Sequence, residues 1–265
     1  MMASLISVGQ PMVFVEFPDE SVTGADMEWN FVNPHTPSFF RILVQAKRAF
    51  GEGKSWKRHS YRELFHVSGS RLQAETLCDS ARNGNATYPL YVFYHPGHTC
   101  ELAAKAGFSS VSGVNLADGF VIEKLVKTNK KRSGNNSLGK IQPHLFPLSS
   151  LFCPENLVLL DPMAYFSSSV VVLNRNGIGV PIPPSPDVIR DRLIQIRRQS
   201  SSSELILGEL DIPEISEVIP REIMDLIEAR GDRRKLEKLN RWRVTFVSPM
   251  VPDSVRGTYP QSQRR

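Results

Sequence analysis

Two stretches decide the fold: Gly24-Ala25-Asp26-Met27-Glu28-Trp29 and, beyond a loop through Asn33-Pro34 and Pro37, Arg41-Ile42-Leu43-Val44-Gln45-Ala46-Lys47-Arg48. Each belongs to an apolar run, Ala25 to Val32 and Phe39 to Ala49, and proline punctuates the gap between them. Two strands joined by about half a dozen residues most simply pair as an antiparallel hairpin. Side chains alternate along a strand, so Asp26 and Glu28 face one way and Met27 and Trp29 the other. Gln45 and Lys47 likewise share a face, opposite Ile42, Val44 and Ala46. If the polar faces coincide, two carboxylates meet an amide and an ammonium. A hard cation, Mg²⁺ or Mn²⁺, takes oxygen ligands, and Asp26, Glu28, the Gln45 amide and the Ala46 backbone carbonyl supply several. Lys47 beside such an ion would orient or help deprotonate a water attacking phosphorus, and would offset charge building on the phosphate. The same residues also read as a half-exposed sheet carrying an ordinary Glu28–Lys47 cross-strand ion pair.

Outward from the hairpin, strand and helix signals alternate, which predicts an α/β domain. Pro11 to Phe17 is a short apolar run. Ser70 and Gln73 spell a capping box for a helix whose Leu72, Thr76, Leu77 and Ala81 line one face and which ends at Asn83-Gly84. Pro89 to Tyr94 is apolar on both faces and predicts a central strand. Leu116 to Val126 reads as a helix capped by Asn115. Lys124 to Lys140, rich in Lys, Ser, Asn and Gly, reads as a mobile basic loop. Leu157 to Leu160 and Val170 to Leu173 read as strands, the second turning at Asn176-Gly177. A helix carrying Ile189, Leu193 and Ile196 on one face runs to the serine linker Ser200 to Ser203. Helices at Arg221 to Ala229 and Arg233 to Arg243 and a disordered tail from Pro249 complete the chain. The expected organisation is a domain over residues 1–165, a hairpin and helix packed on it over 166–199, a charged helical extension over 200–248 and the tail 249–265.

The 265 residues are enough to bury an ordinary core without metal or disulfide staples. Three widely spaced cysteines, Cys78, Cys100 and Cys153, with no C-x-x-C pair fit a reducing compartment. The start has no basic region ahead of a long apolar stretch, so neither a signal peptide nor a membrane span is expected. A cytoplasmic protein is the default, or a nuclear one in a eukaryote. A net charge of +5 is compatible with a polyanionic partner.

Asp26 on one strand of a hairpin, followed by Gln45-Ala46-Lys47 on the next, resembles the Q-x-K variant of the PD-(D/E)xK signature found in Mrr-type restriction endonucleases. The wider run is similar to an uncharacterised bacterial domain family of that fold. The likeness runs through Thr23 to Trp29, Val44 to Arg48, the Arg71 to Ala81 helix and Pro89 to Tyr94, and on through Gly113 to Ala117 and Pro147 to Cys153. It covers Phe14 to Leu160. It implies a restriction-endonuclease-like mixed β-sheet flanked by helices, to which the chain adds its C-terminal helical extension. It also implies a metal ligand at Asp26, a ligand or its relic at Gln45 and a catalytic lysine at Lys47. Members of the superfamily usually begin with a helix whose glutamate completes the metal site. Here a short irregular stretch precedes Asp26, leaving Glu16, Glu20 or Glu28 as substitutes, or a start lying upstream. Gln45 in place of an acid removes one negative charge and should weaken metal binding.

Around the hairpin, Arg48, Lys54, Lys57, Arg58, His59 and Arg71 are candidates for a phosphate backbone, with Trp56 and Tyr61 as stacking partners. A solvated loop explains the same cluster. Gln73 sits where related nucleases can place a polar helix residue near the site, although its capping role also accounts for it. Three other patterns fail. Gly134 to Lys140 spells G-x-x-x-x-G-K, but Ile141 stands where Ser or Thr should bind magnesium. His95, His98 and Cys100 lack paired spacing and a fourth zinc ligand. No nucleophile elbow exists. The expectation is a Mg²⁺- or Mn²⁺-dependent endonuclease acting on DNA, with a homodimer allowed. The alternative is a catalytically silent nuclease fold that binds nucleic acid or a protein partner.

Overall fold

Ile42 and Val44 lie in one apolar core and Leu43 in another, so the period of two splits a single strand between two buried layers. The computed structural model describes residues 13–15, 20–51, 54–68, 70–129, 136–152, 171–173, 179–181, 184–200, 212–228 and 243–247. Its strands are β1 (Val13–Val15), β2 (Met27–Asn33), β3 (Ser38–Arg48), β4 (Val67–Ser68), β5 (Arg71–Leu72), β6 (Thr87–Tyr94), β7 (Val114–Asp118), β8 (Phe146–Pro147), β9 (Val171–Leu173), β10 (Gly179–Pro181) and β11 (Arg243–Val247). The main sheet runs β1-β11-β2-β3-β6-β7-β8, with β4-β5 and β9-β10 as separate small ribbons. It is mixed: β2 and β3 pair antiparallel, as expected, while β3 pairs parallel with β6 and β11 pairs parallel with β2.

The helices are α1 (Glu20–Thr23), α2 (Gln73–Asn83), α3 (Gly97–Lys105), α4 (Gly119–Asn129), α5 (Leu138–Ile141), α6 (Leu148–Phe152), α7 (Pro186–Ser200) and α8 (Arg221–Glu228). Leu77 and Ala81 of α2 and Ile122 and Val126 of α4 pack with Leu43, Tyr91 and Phe93 on one sheet face. Leu151 of α6, Ile189 and Leu193 of α7 and Ile223 of α8 pack with Trp29, Ile42, Val44 and Leu90 on the other. The chain is therefore an α/β fold, an open mixed sheet with helices on both sides.

Several local expectations are corrected. The apolar run from Leu116 is a strand before it is a helix: β7 ends at Asp118, whose carboxylate accepts the Phe120 N–H at 2.8 Å and caps α4. Asn115 is wholly buried and instead satisfies Ser112 N–H and Ser110 C=O. Lys124 to Asn129, expected in a mobile loop, completes α4, where Val126 is buried and Lys127 bonds Glu123 one turn back at 2.6 Å. The Ser70/Gln73 capping box does not form, because the β4-β5 ribbon occupies residues up to Leu72; the Leu72 N–H is met by the Glu75 carboxylate. His98 and Cys100, two of the rejected zinc candidates, lie in the first turn of α3.

Residues 243–247, assigned to a helical extension, form a strand inside the main sheet, and Ile212, Ile223 and Phe246 join the core around Trp29. The expected strand at Leu157 to Leu160, the turn at Asn176-Gly177, the body of the Arg233 helix and the tail lie outside the described residues.

Gly24 fixes how close α2 comes to the hairpin. Its φ of +70° is a conformation L side chains rarely adopt, and a Cβ there would lie 2.8 Å from the Leu77 backbone nitrogen. Gly24→Ala should therefore cost about 1–3 kcal/mol, read by urea denaturation, whereas Gly113→Ala, where a Cβ meets nothing within 4 Å, should be near neutral. Equal stability of the two variants would contradict the close approach.

Candidate active site

Pairing of Met27 with Val44 and of Glu28 with Leu43 places Asp26 across from Gln45, and the Asp26 N–H donates to Val44 C=O at 2.8 Å. The polar faces therefore coincide. Asp26 Oδ2 accepts the Gln45 amide Nε2 at 2.5 Å and the Ala46 N–H at 2.7 Å. Lys47 Nζ, two residues on, donates to Gln73 Oε1 at 2.6 Å. Gln45, Lys47 and Gln73 keep only 2%, 4% and 4% of their surface, so this is a buried polar group in a layer otherwise built from Leu43, Tyr91 and Phe93.

Glu28 stands on the same face, opposite Leu43, with the Arg41 guanidinium 3.8 Å away. Arg41 also bonds Asn30 at 3.0 Å and reaches Glu222 of α8 at 3.6 Å. Glu28 thus belongs with a charge group further along the strand. Among the described residues no three His, Cys, Asp or Glu side chains gather as a metal cluster. Glu20 lies in α1, and Glu16 lies outside the described residues.

Two buried polar atoms here have no hydrogen-bond partner among the described residues, Gln45 Oε1 and Tyr91 OH. Tyr91 is the register partner of Gln45. Its hydroxyl is held well above its ordinary pKa by burial first, with the charges of Cys78 and Asp26 adding to the effect. The Gln45 amide nitrogen faces both the Asp26 carboxylate and the Ala46 carbonyl, and Oε1 is left buried without a donor among the described residues. The amide turns its nitrogen to Asp26, so sharing an ion would require it to rotate and present Oε1. With that rotation Asp26, Gln45 and the Ala46 carbonyl form a weak oxygen-donor set carrying one charge.

Gln73, expected among residues in reach of nucleic acid, is buried against Lys47. Its place at the head of the stripe Gln73, Leu77, Ala81, buried at helical spacing, is the sequence signal for that position. Arg71 is exposed and ion-paired with Asp79. Arg48, Lys54, Lys57 and Arg58 are exposed. Trp56 and Tyr61, expected to stack on bases, are buried at 4% and 0%: Trp56 packs on Phe108 and Tyr61 on Phe93. His59 is buried and hydrogen-bonds Thr99 at 2.9 Å. The failed zinc trio is accounted for in pieces. His98 bonds Gly51 C=O, the Cys100 thiol contacts His95 C=O, and His95 lies between Ser112 and Tyr61.

Residues 1–250 match a family of unknown function, DUF6615. The chain belongs to the DUF6615 family. No curated protein and no solved structure matches it. The DUF6615 match runs well past Leu160 and ends just beyond β11. Asp26, Gln45, Lys47, Gln73 and the C-terminal strand therefore fall within one family unit.

In this DUF6615 chain the segment leaving β3 is anchored by a histidine with a fixed tautomer. His95 Nδ1 lies 2.7 Å from Ser112 C=O and must carry the proton, so Nε2 accepts the Tyr61 hydroxyl at 2.6 Å. Burial holds the His95 pKa below its ordinary 6.5. The unfolded chain then binds a proton that the folded one refuses, so this contribution to stability is full above pH 6.5 and falls as the pH drops toward the lowered value. Denaturation midpoints should decline from about pH 7.5 to about pH 5.5 more steeply in wild type than in His95→Asn; parallel declines would place the sensitivity elsewhere.

Proposed function

We propose that this chain hydrolyses phosphodiester bonds in DNA with a divalent metal ion, using Asp26, Gln45 and Lys47. The observation that carries the reading is the meeting of these three side chains on one buried sheet face, with Gln45 Oε1 left without a donor. The resemblance to the Q-x-K form of the PD-(D/E)xK signature points the same way. A bound Mg²⁺ or Mn²⁺ would supply Lewis acidity at the phosphate and at a water.

The chain's own contribution is positional. Asp26 is fixed by the Ala46 N–H, so its carboxylate cannot swing away from Gln45. Gln73 fixes the position of the Lys47 ammonium, whose charge would offset charge on the phosphate or orient the attacking water. The water oxygen forms the new bond to phosphorus, the bond to the leaving oxygen breaks, and one water proton ends on that oxygen. The buried surroundings strengthen each of these interactions relative to water.

A second reading, a catalytically silent fold that binds nucleic acid or a protein partner, is favoured by the single carboxylate at the centre among the described residues and by the amide nitrogen facing it. Cleavage of supercoiled, linear and single-stranded DNA with Mg²⁺ and then Mn²⁺ separates the two. Asp26→Ala and Lys47→Met should each lower cleavage by roughly a hundredfold or more, with melting temperatures confirming folded variants. Calorimetry should show Mn²⁺ binding to wild type and not to Asp26→Ala. Equal cleavage by all three proteins would sink the site, and a folded wild type that neither cleaves DNA nor binds Mn²⁺ would establish the silent reading.

A further inference from the structure

Residues 48–62 hold five cations, Arg48, Lys54, Lys57, Arg58 and Arg62, against the single acid Glu52. The fold sets the described end of a second basic stretch against them. Ser60 bridges Ser137, the Tyr61 N–H donates to Asn136 C=O at 2.9 Å, and the Leu138 N–H donates to His59 C=O at 2.6 Å. A Cβ at Gly139 would lie 3.1 Å from Lys57 Cβ, which puts the exposed Lys140 next to the strip. Elsewhere Arg71, Arg82, Lys127 and Arg190 are tied to acids, whereas none of these six cations is ion-paired among the described residues.

The aromatic rings of this region are arranged for cations. Arg48 and Arg62 both lie over the Phe50 ring, at 5.7 and 4.8 Å, and Lys57 lies over Trp56 and Phe108, at 5.7 and 5.2 Å. Among the described residues from Val22 onward no Phe, Tyr or Trp side chain is exposed. Sequence-tolerant binding of single strands rests on bases stacking on open aromatic faces. Here those rings carry cations instead, and the charges of Arg48, Lys57 and Arg62 are restrained by ring contacts, which reduces the ordering cost of meeting a phosphate. Arg48 is the last residue of β3, so the strip begins at the end of the strand that carries Lys47, with the Arg48 side chain leaving on the opposite face.

We infer that Arg48, Lys54, Lys57, Arg58, Arg62 and Lys140 form a ledge that grips the phosphate backbone of double-stranded DNA independently of sequence, at the end of β3 that carries Lys47. The ledge deepens the hydrolytic reading and rests on it for the identity of the polyanion.

The test is fluorescence anisotropy of the full chain in EDTA, with two labelled duplexes of unrelated sequence and one single strand of equal length. Arg48→Gln/Arg62→Gln and Lys57→Gln/Arg58→Gln should each weaken both duplexes alike by roughly tenfold, and flatten the slope of log K against log salt by about 2. Arg190→Gln, a charge loss outside the ledge, should bind both duplexes as wild type does. Unchanged binding by both double variants, preference for the single strand, or displacement by poly-glutamate as effective as by unlabelled duplex would each overturn the ledge. The two readings fail separately: Asp26→Ala that still cleaves, alongside ledge variants that no longer bind, removes the hydrolytic site and keeps the ledge. A cleaving enzyme whose ledge variants bind normally does the reverse.

Discussion

The register of β2 against β3 is the constraint on which everything else depends. Met27 opposite Val44 and Trp29 opposite Ile42 put large apolar residues into one core, and Asp26 opposite Gln45 follows from the same pairing. A slip of one residue would turn Lys47 and Gln45 into the apolar layer around Trp29 and carry Ile42 and Val44 to the other face. Core packing on one side thus specifies the polar geometry on the other, with no separate device to align Asp26 with Gln45. Gly24, pressed against α2 just before Asp26, brings Gln73 within reach of Lys47 by the same economy of contacts.

The buried polar group is costly for a sheet. Burying a polar side chain without a full set of partners costs on the order of 1–3 kcal/mol each, and Gln45 and Tyr91 each leave one atom unmet among the described residues. Valine at 45 or leucine at 47 would fill the same layer at lower cost. Local departures from folding rules concentrate where a protein does chemistry. That weighs for a site and against an incidental cross-strand pair, the more so because Glu28 is engaged with Arg41. Among the described residues the centre nevertheless carries one carboxylate, which keeps the charge available to a cation low.

Much of this was legible in the sequence, and the failures share a cause. The hairpin, the two faces of residues 24–48 and the buried strand at Thr87–Tyr94 follow from period-two patterning and proline punctuation, which are local. The boundary at Asp118 is hidden because Leu116, Ala117, Phe120 to Ile122, Leu125 and Val126 read as one apolar pattern, and short apolar runs do not separate strand from helix; Asp118-Gly119 is the available break. Trp56 and Tyr61 lie among basic residues and read as stacking surfaces. Their burial depends on Phe108 and Phe93, which lie far along the chain and come together only in the fold. Gln73 was masked by a plausible cap. β11 pairs with strands more than two hundred residues earlier, a contact that no window of sequence reveals.

That distant strand explains how the hairpin is held. β11 lies between β1 and β2, and Phe246 stacks on Phe31 with centroids 4.7 Å apart and planes 5° from parallel. Nearby C-terminal residues grip the turn end of the hairpin: Phe39 and Ser216 exchange backbone bonds, Ser216 Oγ accepts from Asn85, and Glu222 faces Arg41. These contacts gather near the start of β3, whereas Gln45, Lys47 and Arg48 lie at its other end. The hairpin is braced where no chemistry is proposed, so rigidity reaches Asp26 and Lys47 through the sheet itself. The geometry of a site supported in this way is set in part from the opposite end of the strand.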